Sequence, residues 1–597
     1  MIRFPRLCGR LLATGIVIAM TAGGVRSEDF ATPAERSNYR LAATFDETFD
    51  YFQRLEKASP WVKVTQFGVS PQGRALHLVI VSKDRAFTPE AARKTGKVLF
   101  LIQNSIHAGE MDGTDASLAL VRDIVVTKER ARLLDSVILL VIPIFNVDGH
   151  ENRTRYTRPN QGGPENAGFR ATAQFLNLNR DYMKADAPEM RAWLAMWQQW
   201  MPDIYIDDHI SDGADWQYPI CYNAPIQPNA PEVIREWTRT LFDPDVKAQV
   251  EKAGFKTFPY AFMRGRTMQS GFSTFVDSPR LSTGYTMLWN RPGVLLEMHS
   301  LKDFRTRVLG NYAFLVAMLD NLNRTASSLK KVISTADAQT AAGLTEPYPL
   351  SFRPDGDSVV IDFAGFEYDT AHSVATDGEY PKYRHDKPKV WRVPYFGTFK
   401  PRVTIAPPRA YLIPREWQEQ IDRLRVHGIR LDSLIQPLTA KVELNYLDSL
   451  KWSPAPYESR MQPRYRCVVR DTTVTYPAGT IVVDLHQPGA KVAMQALEPQ
   501  GYDSWVAWGF WNTIFERKEY IEDYVIDPLA DSMLAADARL RADFESRVKS
   551  DTAFAKNVDA RRQYFYERSQ YAETQVNWYP VARLMGTLPP VAPLKNK

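Results

Sequence analysis

The 597-residue chain predicts an α/β N-terminal half followed by a mixed β and α half. Three observations point there. Short runs that are apolar on both faces, such as Val98-Leu99-Phe100-Leu101-Ile102 and Val137-Ile138-Leu139-Leu140-Val141-Ile142, alternate with helix-periodic segments, as strands buried between two helix layers do. Several of these runs end in, or lead straight into, chemically active side chains: His107 with Glu110, His209, and Glu297. Beyond about residue 326 the texture changes to short alternating strands separated by prolines, and the total length exceeds what one core usually serves.

At the start of the chain, Arg3, Arg6 and Arg10 precede the apolar stretch Leu11 to Ala22, which is followed by small residues. Residues 1–27 therefore read as a secretory signal, and the expected location is secreted or periplasmic. The stretch is short for a bilayer span, and no later segment has enough uninterrupted apolar residues, so no membrane span is expected after signal removal. Cleavage near Ser27 takes the basic count from 74 to 70 against 69 acidic residues, and the formal charge falls from +5 to +1. No clustered basic face is left to argue for nucleic acid. Cys8 leaves with the signal; Cys221 and Cys467 permit at most one bridge and make no disulfide framework.

In chain order, Ser37 to Lys57 has helical spacing, and Val62 to Phe67 and Ala75 to Val81 form a strand pair around Ser70-Pro71-Gln72-Gly73. The Val98 strand leads to His107-Ala108-Gly109-Glu110 and a helix to Val126; the Val137 strand leads to Asn146-Val147-Asp148-Gly149. A loop rich in Arg, Gly, Pro and Asn spans Glu151 to Gly168, then come Asn177-Leu178-Asn179-Arg180-Asp181, a helix through Trp200, and the strands Ile204 to His209 and Gly293 to Glu297. A helix from Thr306 to Leu322 is expected to close a catalytic domain of residues 28–325. In 326–597, a helix is expected at Glu416 to Val426, a strand at Tyr476 to Leu485, and a charged helical run at Leu534 to Tyr566. The aromatics Trp505, Trp508, Phe510 and Trp511 fit a core or a domain contact better than a carbohydrate-binding face.

An imidazole and a carboxylate three residues apart on a tight turn can converge on one ion, although H-x-x-E alone is a common pattern and Glu110 also suits a helix start. Adding the strand-end His209 and Glu297 changes the reading. Two His and one carboxylate leave an open position for water, as a catalytic zinc requires, and a further carboxylate can take that water's proton. Apart from His299, the remaining histidines have no carboxylate at ligand spacing; His299, two residues after Glu297, is expected to be structural.

The order H-x-x-E, N-x-D-G, a loop Arg, Asn-Arg, a strand-end His and a strand-end Glu resembles the zinc carboxypeptidase family of the carboxypeptidase A type. The likeness runs from about Ser37 to Arg324, as in a bacterial secreted member with a C-terminal extension. It implies a central mixed eight-stranded sheet flanked by helices, with one Zn2+ held by His107, Glu110 and His209. Glu297 matches the general base and acid, and Arg158, with Arg153 and Arg155 as neighbours, the arginine that steadies the oxyanion. Asn179 and Arg180 match the pair that grips the carboxylate of a peptide or protein C-terminus, and Tyr285 the substrate-covering tyrosine.

Two departures stand out. Asn177 replaces an acidic residue that orients a zinc ligand, so Asp207 or Asp208 takes that role or an amide suffices. Tyr285 lies closer to Glu297 than the usual spacing. Arg280 and Ser282 fall where the pocket for the departing side chain is shaped, which leaves Arg280 as a cationic pocket or as a partner of Asp277. Besides a carboxypeptidase, the scaffold allows a zinc amidase acting on cell-wall peptides or N-acyl amino acids, and an inactive binding protein; the intact set of residues argues against the last.

Overall fold

A computed structural model describes residues 30–594, so the signal segment lies outside the described residues. Its catalytic half is built on β1 (Val62–Val69), β2 (Ala75–Val81), β3 (Val98–Gln103), β4 (Val137–Ile142), β5 (Ile204–Ser211), β6 (Ile220–Asn223), β7 (Thr257–Pro259) and β8 (Gly293–His299). They form an eight-stranded sheet in the order β1-β2-β4-β3-β5-β8-β6-β7. The centre, β4-β3-β5-β8, is parallel, while β1-β2, β2-β4 and β8-β6 pair antiparallel, which gives the mixed sheet that the resemblance implies.

Every residue of β3, β4, β5 and β8 is buried, because both faces are covered. Alternation divides them between two cores. Leu99, Leu101, Ile138 and Leu140 pack with Trp193 and Trp197 of helix Pro188–Trp200; Val98, Phe100, Val137 and Leu139 pack with helices Asp112–Val125 and Phe304–Ala341.

Two predicted helix bounds shift. The first long helix begins at Phe45, not Ser37: Thr44 and Glu47 form a reciprocal capping box, and Asn38 and Tyr39 before it have φ of 53° and 58°. The closing helix is capped by Asp303 and runs through residue 325 to Ala341, so the predicted domain boundary falls inside a helix. Leu329, Ile333 and Ala336 keep its inner face buried over those extra turns, and the chain turns away at Gly343 with φ +93°.

The C-terminal half is a mixed β/α domain. Its seven-stranded sheet runs in the order Pro463–Tyr476, Leu438–Trp452, Ala582–Leu584, Ala410–Ile413, Ile481–Asp484, Asp432–Leu434 and Val591–Pro593. Helices Gln418–Val426 and Ala490–Leu497 share an apolar cluster with its strands through Ile421, Leu424, Val492, Ile413 and Val483, and the charged helical run is divided among helices from Asp523–Ala536 to Val558–Tyr566. Two long antiparallel hairpins leave this half, Val359–His372 with Glu379–Phe396 and Leu438–Trp452 with Pro463–Tyr476. The first joins the catalytic half edge to edge at Phe272 and Ser273. Trp505, Trp508 and Trp511 are fully buried in the same apolar cluster as Trp193, Trp197 and Tyr285, so they are core residues. Among the described residues no helix is long and apolar enough to cross a membrane.

Candidate metal centre and active site

The site lies at the C-terminal ends of β3, β5 and β8, where a parallel sheet gathers loops and active side chains. After β3 the chain turns sharply, with the Glu110 N–H donating to the His107 carbonyl at 2.8 Å. Gly109 is required in that turn: a Cβ there would lie 2.4 Å from the Gly168 carbonyl oxygen and 2.6 Å from Arg158 Cγ. His209 of β5 and Glu297 of β8 are register partners on neighbouring parallel strands, so their side chains stand side by side on one face.

His107, Glu110 and His209 are all buried, and one ligand atom from each lies within 4.8 Å of the others. His209 Nδ1 is 3.1 Å from His107 Nδ1 and 3.0 Å from Glu110 Oε2, and His107 Nδ1 is 3.3 Å from Glu110 Oε2. Lone pairs facing one another at such distances repel as acceptors and match a divalent cation, and the His2Glu donor set suits zinc. The far ring nitrogens fix this orientation. His107 Nε2 donates to Asn177 Oδ1 at 3.2 Å and His209 Nε2 to Asp207 Oδ2 at 2.9 Å. The Asn177 amide therefore suffices at His107, and Asp207 orients the second imidazole. Asp208 faces the other way, accepting from Asn311.

Burial pushes the His107 imidazole down to about 3, keeping it neutral as a ligand must be. Burial alone would raise the Glu110 carboxyl, but the neighbouring His107 and Arg158 hold it well below the usual carboxylate range. Arg158 Nη2 donates to Glu110 Oε1 at 2.7 Å. Glu297 is shifted the other way: burial raises its pKa, with the Glu110 and Asp207 charges adding to it against His209. Two buried carboxyls in one site are thus driven apart, one held as an ionised ligand and the other made a stronger base.

Of the three loop arginines, Arg158 lines the site. Arg153 donates to the Ala42 and Ala43 carbonyls, and Arg155 lies over the Tyr156 ring. Arg170, just past the loop segment singled out by its composition, also lines the site, 3.5 Å from Glu110 Oε1. Tyr260 is a second lining residue that no motif marked. Arg180 is not taken by either nearby aspartate, since Asp181 pairs with Lys184 and Asp148 with Arg74, each at 2.8 Å. The Asn179 amide points inward, with Oδ1 accepting from the Ser282 N–H at 3.1 Å and Nδ2 lying 3.2 Å from His209 Nε2.

Two expectations at the rim are corrected. Tyr285 is wholly buried, donates to or accepts from His427 Nδ1 at 2.9 Å and packs against Tyr182 and Trp193, so it cannot cover a substrate. Arg280 is not a free pocket cation and does not pair with Asp277: it pairs with the buried Asp503 and lies over the Tyr502 and Trp508 rings. Cys221 and Cys467 are both free thiols. His299, as expected, is structural, buried against Trp216 and 3.3 Å from Asp215.

A cavity of about 240 Å³ lined by His107, Glu110, His209, Glu297 and two arginines defines a class, the metal-dependent hydrolases with one catalytic ion. Residues 49–241 match the family model described as zinc carboxypeptidase. Carboxypeptidase 2 of Trichophyton rubrum is 22% identical over 524 residues, covering 83% of this chain and 90% of that protein. Carboxypeptidase 2 of Trichophyton tonsurans is 23% identical over 497 residues, covering 78% and 84%. Among solved structures, carboxypeptidase A from Helicoverpa armigera gives a TM-score of 0.37 at 14% identity, over 50% of this chain and 75% of that one. A metallo-carboxypeptidase from Burkholderia cenocepacia gives 0.35 at 16%, over 47% and 70%.

Proposed function

We propose that this protein is a zinc-dependent carboxypeptidase that hydrolyses the last peptide bond of a free peptide C-terminus. The observation that carries the reading is the register pairing of His209 with Glu297, which sets a base directly beside the His107, Glu110 and His209 donor set. Zinc, when bound there, supplies Lewis acidity that acidifies water and polarises a carbonyl.

The chain's own groups do the rest. Glu297, with its raised affinity for a proton, takes one from the attacking water and passes it to the leaving amine. Arg158 and Arg170, at the cavity wall, offer N–H donors to the oxyanion that develops on the scissile carbonyl. Arg180, which has no carboxylate partner among the described residues, receives the substrate's terminal carboxylate.

Zinc-loaded protein should release the last amino acid from an N-acyl dipeptide acid and leave the C-terminal amide of the same dipeptide intact. Equal cleavage of both would overturn the exopeptidase reading. In the same assay Glu297→Gln should lower kcat by roughly a thousandfold, while mass spectrometry of the metal content still finds one zinc per chain.

A further inference from the structure

Arg180 is reached by a residue that is 277 positions away in the chain. The hairpin Leu438–Trp452 with Pro463–Tyr476 extends from the C-terminal domain, and the tip beyond it lies against Asn177, whose side chain accepts from His107, and against Arg180, which is outside the lining of the metal cavity itself. There Arg180 Nε donates to Tyr457 Oη at 3.2 Å, and Arg180 Nη1 donates to the Asn179 carbonyl at 2.7 Å. Two of the guanidinium's five donors are thereby spent on fixing its plane. Among the described residues Nη2 has no partner, and it stays free for an incoming carboxylate.

The tip itself is held from three directions. Tyr457 stacks on the buried Trp508 with ring centroids 6.0 Å apart and planes 11° apart. Glu458 Oε2 accepts the Asn177 N–H at 2.9 Å, and Arg460 pairs with Asp186 at 2.6 Å. Yet Tyr457 is 41% exposed, an unusual state for an aromatic so firmly placed. It presents a rigid ring and hydroxyl to the same solvent that reaches Arg180.

We propose that Tyr457, supplied by the C-terminal domain, is the positioning residue that presets Arg180 for the substrate's terminal carboxylate, so the domain completes the binding site of the catalytic half. The proposal rests on the carboxypeptidase reading. A tip that only docked one domain on the other would need the Glu458 and Arg460 contacts but not a hydroxyl on the guanidinium. The ligand class is a peptide or amino acid with a free α-carboxylate.

The test is Tyr457→Phe in the full-length zinc-loaded enzyme, a change that keeps the ring on Trp508 and removes only the hydroxyl. KM for the N-acyl dipeptide acid should rise roughly fivefold or more, the scale of losing one hydrogen bond to a charged group, with kcat within about twofold. The Ki of the product amino acid should rise in parallel, while inhibition by the corresponding amino acid amide stays as it is in the parent enzyme. Unchanged KM and Ki in the variant, beside an active parent, would overturn the role of Tyr457 and leave the carboxypeptidase reading standing. A parent enzyme that cleaves no free-acid substrate would overturn both.

Discussion

Glu189, in the first turn of helix Pro188–Trp200, is buried, and among the described residues its carboxylate has no hydrogen-bond partner outside its own residue. Burial pushes its pKa up to about 7, with Asp148 and Asp181 adding to it. The folded chain therefore binds a proton here that the unfolded chain releases nearer pH 4.5. That stabilising contribution is fully present below about pH 4.5 and is lost as pH rises through 7. Glu189→Gln removes the titration. Its melting temperature should match that of the parent near pH 4.5 and exceed it at pH 8, by on the order of 2 kcal/mol of stability. A difference that does not change with pH would refute this account.

Single residues were legible to different degrees for a related reason. His107, Glu110, His209 and Glu297 follow from position, since each sits at or just past the end of a run buried on both faces. Tyr285 did not, because its hydroxyl is satisfied by His427 from the other half of the chain, a partner that no local spacing reveals.

At the scale of elements, strands β3, β4, β5 and β8 were readable because burial on both faces leaves an unbroken apolar run. The hairpin that reaches Arg180 was not, because its strands are long with few buried residues and its turn lacks the usual signal. A two-residue turn with φ positive at both positions favours Asn-Gly, whereas this one is Glu458-Ser459 with φ of 47° and 64°. The Tyr457 N–H to Arg460 carbonyl and the reverse bond, at 2.9 and 3.0 Å, hold it in that form. Non-glycine residues in this region carry a backbone cost of about 1–2 kcal/mol each. Glu458 is retained by its bond to Asn177, but Ser459 is exposed and its side chain makes no hydrogen bond among the described residues. Ser459→Gly should thus raise stability by about 0.5–1 kcal/mol, after the extra freedom glycine gives the unfolded chain is subtracted, and leave KM unchanged. A lower melting temperature would show that the turn is not strained at Ser459.

Across the whole molecule, the two halves that the sequence separates by texture are joined by one apolar cluster. Trp193, Trp197, Tyr285 and Leu288 of the catalytic half share it with Leu424, Met494, Trp505 and Trp508 of the other. Polar contacts seal the junction: the Trp505 indole donates to the Met183 carbonyl at 2.8 Å, Arg423 to the Ala185 carbonyl at 3.1 Å, and buried Lys491 to Asn290 at 2.6 Å. An apolar interface of this kind couples the unfolding of its two sides, since neither keeps its core when the other opens. Calorimetry of the full chain should therefore give one transition in which both halves melt together. A chain ended at Gly343 should expose the face around Trp193 and Tyr285, bind a hydrophobic dye and aggregate. Two resolved transitions, or a soluble truncated chain that still binds zinc with a native melting temperature, would show that the C-terminal domain is an appendage and not half of the structure that holds the site.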